Sequence, residues 1–130
     1  MDFYLKDNGM RTEFEYGTLS VSGDEQYGYR PFQLMVASIV GCSGSVFRKI
    51  LDKQRTQYED LQIHADVERN PEVANRIEKI VLTFTVKGKH LDPAKLQRNL
   101  ELSRKNCSMV RSVENSITVE ENLEIIELSK

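Results

Sequence analysis

The chain predicts an α+β fold, one long helix packed on a mostly antiparallel sheet, and three observations carry that prediction. Leu61, Ile63, Ala65 and Val67 alternate with polar residues, as do Ile80, Leu82, Phe84 and Val86. That is the period of a strand with one buried and one wet face. From Phe32 to Lys53 a largely apolar stretch runs without proline, and as a helix at ~1.5 Å per residue it reaches about 33 Å. Asp92-Pro93 then joins a favoured N-cap residue to the residue best tolerated in a first helical turn.

Taken in order, Phe3-Tyr4-Leu5 reads as a short strand ended by Asp7-Asn8-Gly9, which favours a tight reversal. Phe14 and Tyr16 alternate with Glu13 and Glu15, and Leu19 and Val21 with Ser20 and Ser22, so two further short strands are expected. A polar loop, Gly23 to Tyr29, leads to Pro31 at the start of the long helix. The first half of that helix is apolar on nearly every side, which predicts burial all round. Arg48, Lys49, Asp52 and Lys53 predict that its far end emerges into solvent. After the two alternating strands come a helix from Pro93 to about Lys105, a short helical segment opened by Cys107, and a closing strand from Ile117 to Leu128. One small sheet covers only one face of a helix. The small residues Ala37, Ser38, Gly41, Cys42, Ser43, Gly44 and Ser45 permit close approach of another backbone, so a second copy of the chain is the simplest cover. A homodimer is expected.

A chain of 130 residues fits a single domain, 1-130. No run approaches the ~18 apolar residues of a membrane span. The N-terminal residues have neither an apolar core nor a small-residue cleavage site. A cytoplasmic location is the expectation, where a transient redox disulfide is better motivated than a structural one. With a net charge of −2 and scattered lysines and arginines, nucleic acid is not the expected partner. The acidic group Glu114, Glu120, Glu121, Glu124 and Glu127 reads as a solvated strand face, and the five tyrosines as packing residues.

Cys42 and Cys107 are the two cysteines and the strongest candidates for chemistry. Only a thiolate attacks a peroxide or a disulfide, and a free thiol titrates near about 8.5. Cys42, in an apolar mid-helix setting, needs a cation or a hydrogen-bond donor, and Arg11, Arg30 and Arg48 are candidates. Cys107 stands at a helix start with N–H groups on offer, so it is expected to be the better-activated sulfur. The plain alternative is two inert buried cysteines. His64 and His90 lack the close ligand pairs of a zinc site, and no cofactor is called for. Ser43-Gly44-Ser45 is not a nucleophile elbow, nor is Gly41 to Gly44 a phosphate loop.

The segments Arg30-Pro-Phe-Gln-Leu-Met-Val-Ala-Ser-Ile-Val-Gly-Cys42 and Cys107-Ser-Met-Val110 resemble the two cysteine motifs of the OsmC/Ohr family (osmotically inducible protein C and organic hydroperoxide resistance protein). The order of elements agrees along essentially the whole chain. The resemblance implies an intertwined homodimer whose two long central helices are wrapped by sheets from both subunits. It implies a thiol peroxidase acting on organic hydroperoxides or hydrogen peroxide at the dimer interface. Cys42 would be oxidised to a sulfenic acid, Cys107 would condense with it, and an external dithiol would restore the pair. Arg11 looks like the family's arginine. The family's glutamate is replaced here by Phe32 and Gln33, and Gln33 can hydrogen-bond to an arginine without forming a salt bridge. Cys-Ser-Met-Val in place of Cys-Pro-Tyr looks like the less characterised OsmC-like subgroup. That departure supports a second reading: a non-peroxidase dimer that senses redox state or binds an apolar small molecule between Phe32, Met35, Ile39 and Phe47.

Overall fold

A computed structural model of the protein describes residues 1-129. The fold is α+β, as predicted, and its backbone contacts divide it into two compact units, Met1–Ala37 and Ser38 onward.

In the first unit, β1 (Tyr4–Lys6), β2 (Gly9–Glu13) and β3 (Thr18–Val21) form an antiparallel sheet in that order. Lys6 faces Gly9 across the reversal that Asp7-Asn8 promised, with Asp7 at φ 39°. Gly9 is required there, because a Cβ would run into the Val21 carbonyl oxygen. The expected strand through Phe14 and Tyr16 does not form. Phe14 and Gly17 instead exchange backbone hydrogen bonds of 3.0 and 3.1 Å, closing the loop between β2 and β3, and Tyr16 is fully exposed. Nor are four of the five tyrosines buried as packing residues: Tyr4, Tyr27 and Tyr29 are also exposed, alongside Phe3, Leu5, Met10 and Phe14, and Tyr58 alone is partly covered.

Helix α1 (Pro31–Lys53) begins in the first unit and runs through the second. The second unit adds β4 (Asp60–Asn70), β5 (Arg76–Gly88), α2 (Pro93–Asn106), α3 (Ser108–Val113) and β6 (Thr118–Glu127). The long hairpin β4–β5 pairs antiparallel, with Ile63 opposite Phe84. Strand β6 lies parallel to β5, with Leu123 opposite Phe84, so the chain needs a crossover, which α2 and α3 provide. Asp92 caps α2, accepting the Lys95 N–H at 3.2 Å.

Ile80, Leu82, Phe84 and Val86 of β5 are fully sealed, as are Phe47 and Leu51 of α1 and Val110 of α3. The Phe47 and Phe84 rings meet edge to face at 5.4 Å. Burial of α1 all round does not hold within the chain. Only Ile39, Ser43, Phe47 and Leu51 are buried, a stripe of every fourth residue, because a helix laid on one sheet can cover a single face. Gly41 is exposed, and a Cβ there would meet nothing within 4 Å. By length and composition α1 is also apolar enough to cross a membrane, which counting uninterrupted apolar residues did not reveal, since serine and glycine dilute the run without making it polar.

The acidic group is not uniformly solvated. Glu120 pairs with Lys79 at 3.2 Å and Glu114 with Arg111 at 3.4 Å. The Glu127 carboxylate accepts the N–H groups of His90 and Leu91 at 2.5 and 3.3 Å. Glu121 is turned to the inner side of β6, and both its carboxylate oxygens are buried without a hydrogen-bond partner.

Candidate active site

Cys107 is the single residue joining α2 to α3, extended at φ −86°, ψ 108°. A helix–helix joint of one residue turns its side chain inward, and it is completely buried. Cys42 lies beside the sealed stripe of α1 and remains half-exposed, whereas its neighbour Ser43 lies on the stripe itself. The two cysteine segments thereby interlock. Ser43 donates its hydroxyl hydrogen to the Cys107 sulfur at 3.3 Å, and the Ser108 hydroxyl lies 3.7 Å from the Cys42 sulfur. Ser103, on α2, donates to the Ser43 carbonyl at 3.3 Å.

The surroundings of the two sulfurs push their acidities apart. Burial pushes the Cys42 thiol up, but the Met109 N–H, the Cys107 thiol, and the hydroxyl and N–H of Ser108 all donate towards it. Those donors favour the thiolate, and the net pKa is below the ordinary thiol value. Burial pushes Cys107 up, the Ser43 hydroxyl and the Val110 N–H oppose that, and Cys42 adds to the rise, so Cys107 stays above the ordinary value. The expectation for the two sulfurs is thus reversed. Cys107 heads α3 and receives the Val110 N–H of its first turn, but the N–H groups of Ser108 and Met109 serve Cys42 on another element. Donors rather than a cation lower Cys42.

The arginines have other engagements. Arg48 donates from Nε to the Tyr58 hydroxyl at 3.3 Å. Arg30 stacks over the Phe32 ring at 4.7 Å. Arg11 pairs with Glu13 at 3.2 Å and lies 5.0 Å over the Tyr4 ring. Gln33 is exposed on the first turn of α1. Arg11 and Gln33 both belong to the first compact unit, Cys42 and Cys107 to the second. Among the residues expected to line an apolar pocket, Ile39 and Phe47 are instead core, 1% and 0% exposed. His64 pairs with Asp66 at 3.2 Å on an exposed strand face. No group of three or more metal-ligating side chains comes together among the described residues.

Ser43 and Ser108 were missed as working residues. The signal was present as a repeated dipeptide, Cys42-Ser43 and Cys107-Ser108, in which each serine serves the other segment's cysteine.

Known proteins resemble this chain in sequence and in fold. The chain is 28% identical over 97 residues to Protein YhfA of Escherichia coli K12, covering 74% of this chain and 72% of that one. The crystal structure of a hypothetical protein from Aquifex aeolicus VF5 superposes with a TM-score of 0.87 at 22% identity, over 98% of this chain and 96% of the other. An organic hydroperoxide resistance protein, OsmC, from Legionella pneumophila shares the fold at a TM-score of 0.67 and 16% identity, over 96% and 93% of the two chains. The family model for OsmC-like protein matches residues 22–122, a span that holds both cysteines and the helices that present them; the chain belongs to the OsmC-like family.

Proposed function

We propose that the protein is a thiol-dependent peroxidase acting on organic hydroperoxides or hydrogen peroxide, working as a homodimer. The observation that carries this reading is the asymmetry of the two cysteines: Cys42 is half-exposed with a lowered pKa, Cys107 is sealed with a raised one, and crossed serine–sulfur contacts tie their segments together. An attacking thiolate is thereby set against a protonated thiol. Family membership and the hydroperoxide-resistance name of the Legionella relative support a redox role.

In the proposed reaction the Cys42 thiolate attacks one peroxide oxygen and the O–O bond breaks. The leaving alkoxide takes a proton to become an alcohol, or water from hydrogen peroxide, and Cys42 becomes a sulfenic acid. Cys107 then attacks the Cys42 sulfur, its proton leaves with the sulfenic oxygen as water, and a disulfide forms. An external dithiol reduces that disulfide by exchange, as a reducing, cytoplasmic setting would supply. The family resemblance assigns Arg11 and Gln33 to holding the substrate. Gln33 contributes hydrogen bonds without charge, so the arginine is held more weakly than by a carboxylate.

Cys42→Ser is expected to abolish peroxide consumption with dithiothreitol as reductant, and unchanged consumption would overturn the proposal. Cys107→Ser is expected to keep the first step and trap the Cys42 sulfenic acid. The redox-sensing alternative uses the same pair, and is told apart by a single oxidation without turnover under excess dithiol. The apolar-ligand alternative is weakened by the burial of Ile39 and Phe47.

A further inference from the structure

We propose that Ser43 is a positioning residue that acts through Cys107, holding the Cys107 S–H as a hydrogen-bond donor to Cys42. The inference rests on the sulfur-pair reading above and names a residue that the pair depends on. Ser43 and Cys107 are both fully buried, so solvent does not compete for either group. A thiol has one hydrogen to give and lone pairs to receive. The Ser43 hydroxyl hydrogen approaches the Cys107 sulfur at 3.3 Å and, with the Val110 N–H, occupies its acceptor side. The thiol hydrogen is left to turn towards Cys42, which adjoins Ser43 on α1 and whose sulfur lies 3.7 Å from the hydroxyl of Ser108, the residue after Cys107. Ser103 braces the arrangement, since its hydroxyl donates to the Ser43 carbonyl and fixes this turn of α1 against α2. Cys107 is the titratable group that acts on Cys42.

Two consequences follow for the chemistry. Before oxidation, the oriented S–H stabilises the Cys42 thiolate. During closure, Cys107 gives up its proton as it attacks the sulfenic sulfur, and the Ser43 hydroxyl then faces the negative charge that develops on Cys107. A buried donor aimed at developing charge lowers the barrier of such a step.

The test is the pH profile of Cys42 alkylation by iodoacetamide, which needs no peroxide. In Ser43→Ala the midpoint is expected to rise by roughly half a unit, slowing alkylation near neutrality about threefold. In a Cys107→Ala background the same Ser43→Ala change is expected to leave the midpoint where Cys107→Ala alone puts it. An unshifted midpoint in the single variant overturns the inference. So does an equal shift with Cys107 absent, which would mark Ser43 as packing only. If the alanine variant does not fold, Ser43→Thr against Ser43→Val gives the same reading in side chains of matched shape, with the lower midpoint expected for threonine. Failure of peroxide to join the sulfurs would sink the proposed peroxidase while leaving this profile intact.

Discussion

At Glu121 an acid stands where the alternation of β6 calls for an apolar side chain, between Val119 and Leu123 on the inner face. Burial raises its pKa, with Arg104 only partly opposing. The folded protein therefore holds this proton more tightly than the unfolded chain does. The sign follows from linkage: the contribution to stability is complete below the ordinary carboxylate range and is lost as pH rises through the raised value. Glu121→Gln removes the ionisation, so near neutral pH it is expected to stabilise the fold by about 1 kcal/mol, a few degrees in Tm. The gain is expected to vanish in acid, as thermal melts across pH would show. A loss of stability at neutral pH would mean that a cation reaches the carboxylate. The sequence could not display this burial, because charge patterning favours a wet face for five glutamates and says nothing about which one turns inward. The same limit applied at the sulfurs. Both were legible as residue types, but which of them the α3 N–H groups serve depends on packing between elements far apart in the chain.

Most elements were legible because each carries its own local signal. The alternation of β4 and β5, the Asp92-Pro93 start of α2 and the proline-free run of α1 all appear at the expected positions. The failure at Phe14 and Tyr16 has a local cause too. Glu13 to Tyr16 alternates like a strand, but the reciprocal bonds between Phe14 and Gly17 close a turn that alternation alone does not disclose. Helix α1 poses the sharper problem, since its sequence calls for cover that the chain supplies only along the Ile39, Ser43, Phe47 and Leu51 stripe. In the proposed dimer the exposed small residues, Gly41 first among them, lie against the partner's helix. Gly41→Leu separates the possibilities. Within one chain a side chain there meets nothing, and leaving glycine in a helix interior gains about 1 kcal/mol. In a dimer packed at Gly41 it forces the helices apart. Sedimentation is expected to show Gly41→Leu as a folded monomer beside a dimeric parent, whereas an equally dimeric variant would place the contact elsewhere.

Across the whole molecule, the α+β class and the family were readable from element order and two short motifs, because both depend on patterns that survive without coordinates. The parallel pairing of β6 with β5 and the contact between Cys-Ser segments from α1 and the α2–α3 joint were not, since both arise from the crossover closing on itself. That closure is what turns two ordinary cysteines into an asymmetric pair, and the proposed function stands on that pair. The most direct test is thiol titration with intact mass, before and after one equivalent of cumene hydroperoxide. Loss of both thiols, with the chain lighter by the two thiol hydrogens, is the predicted result. Two thiols still titrating and an unchanged mass would contradict it.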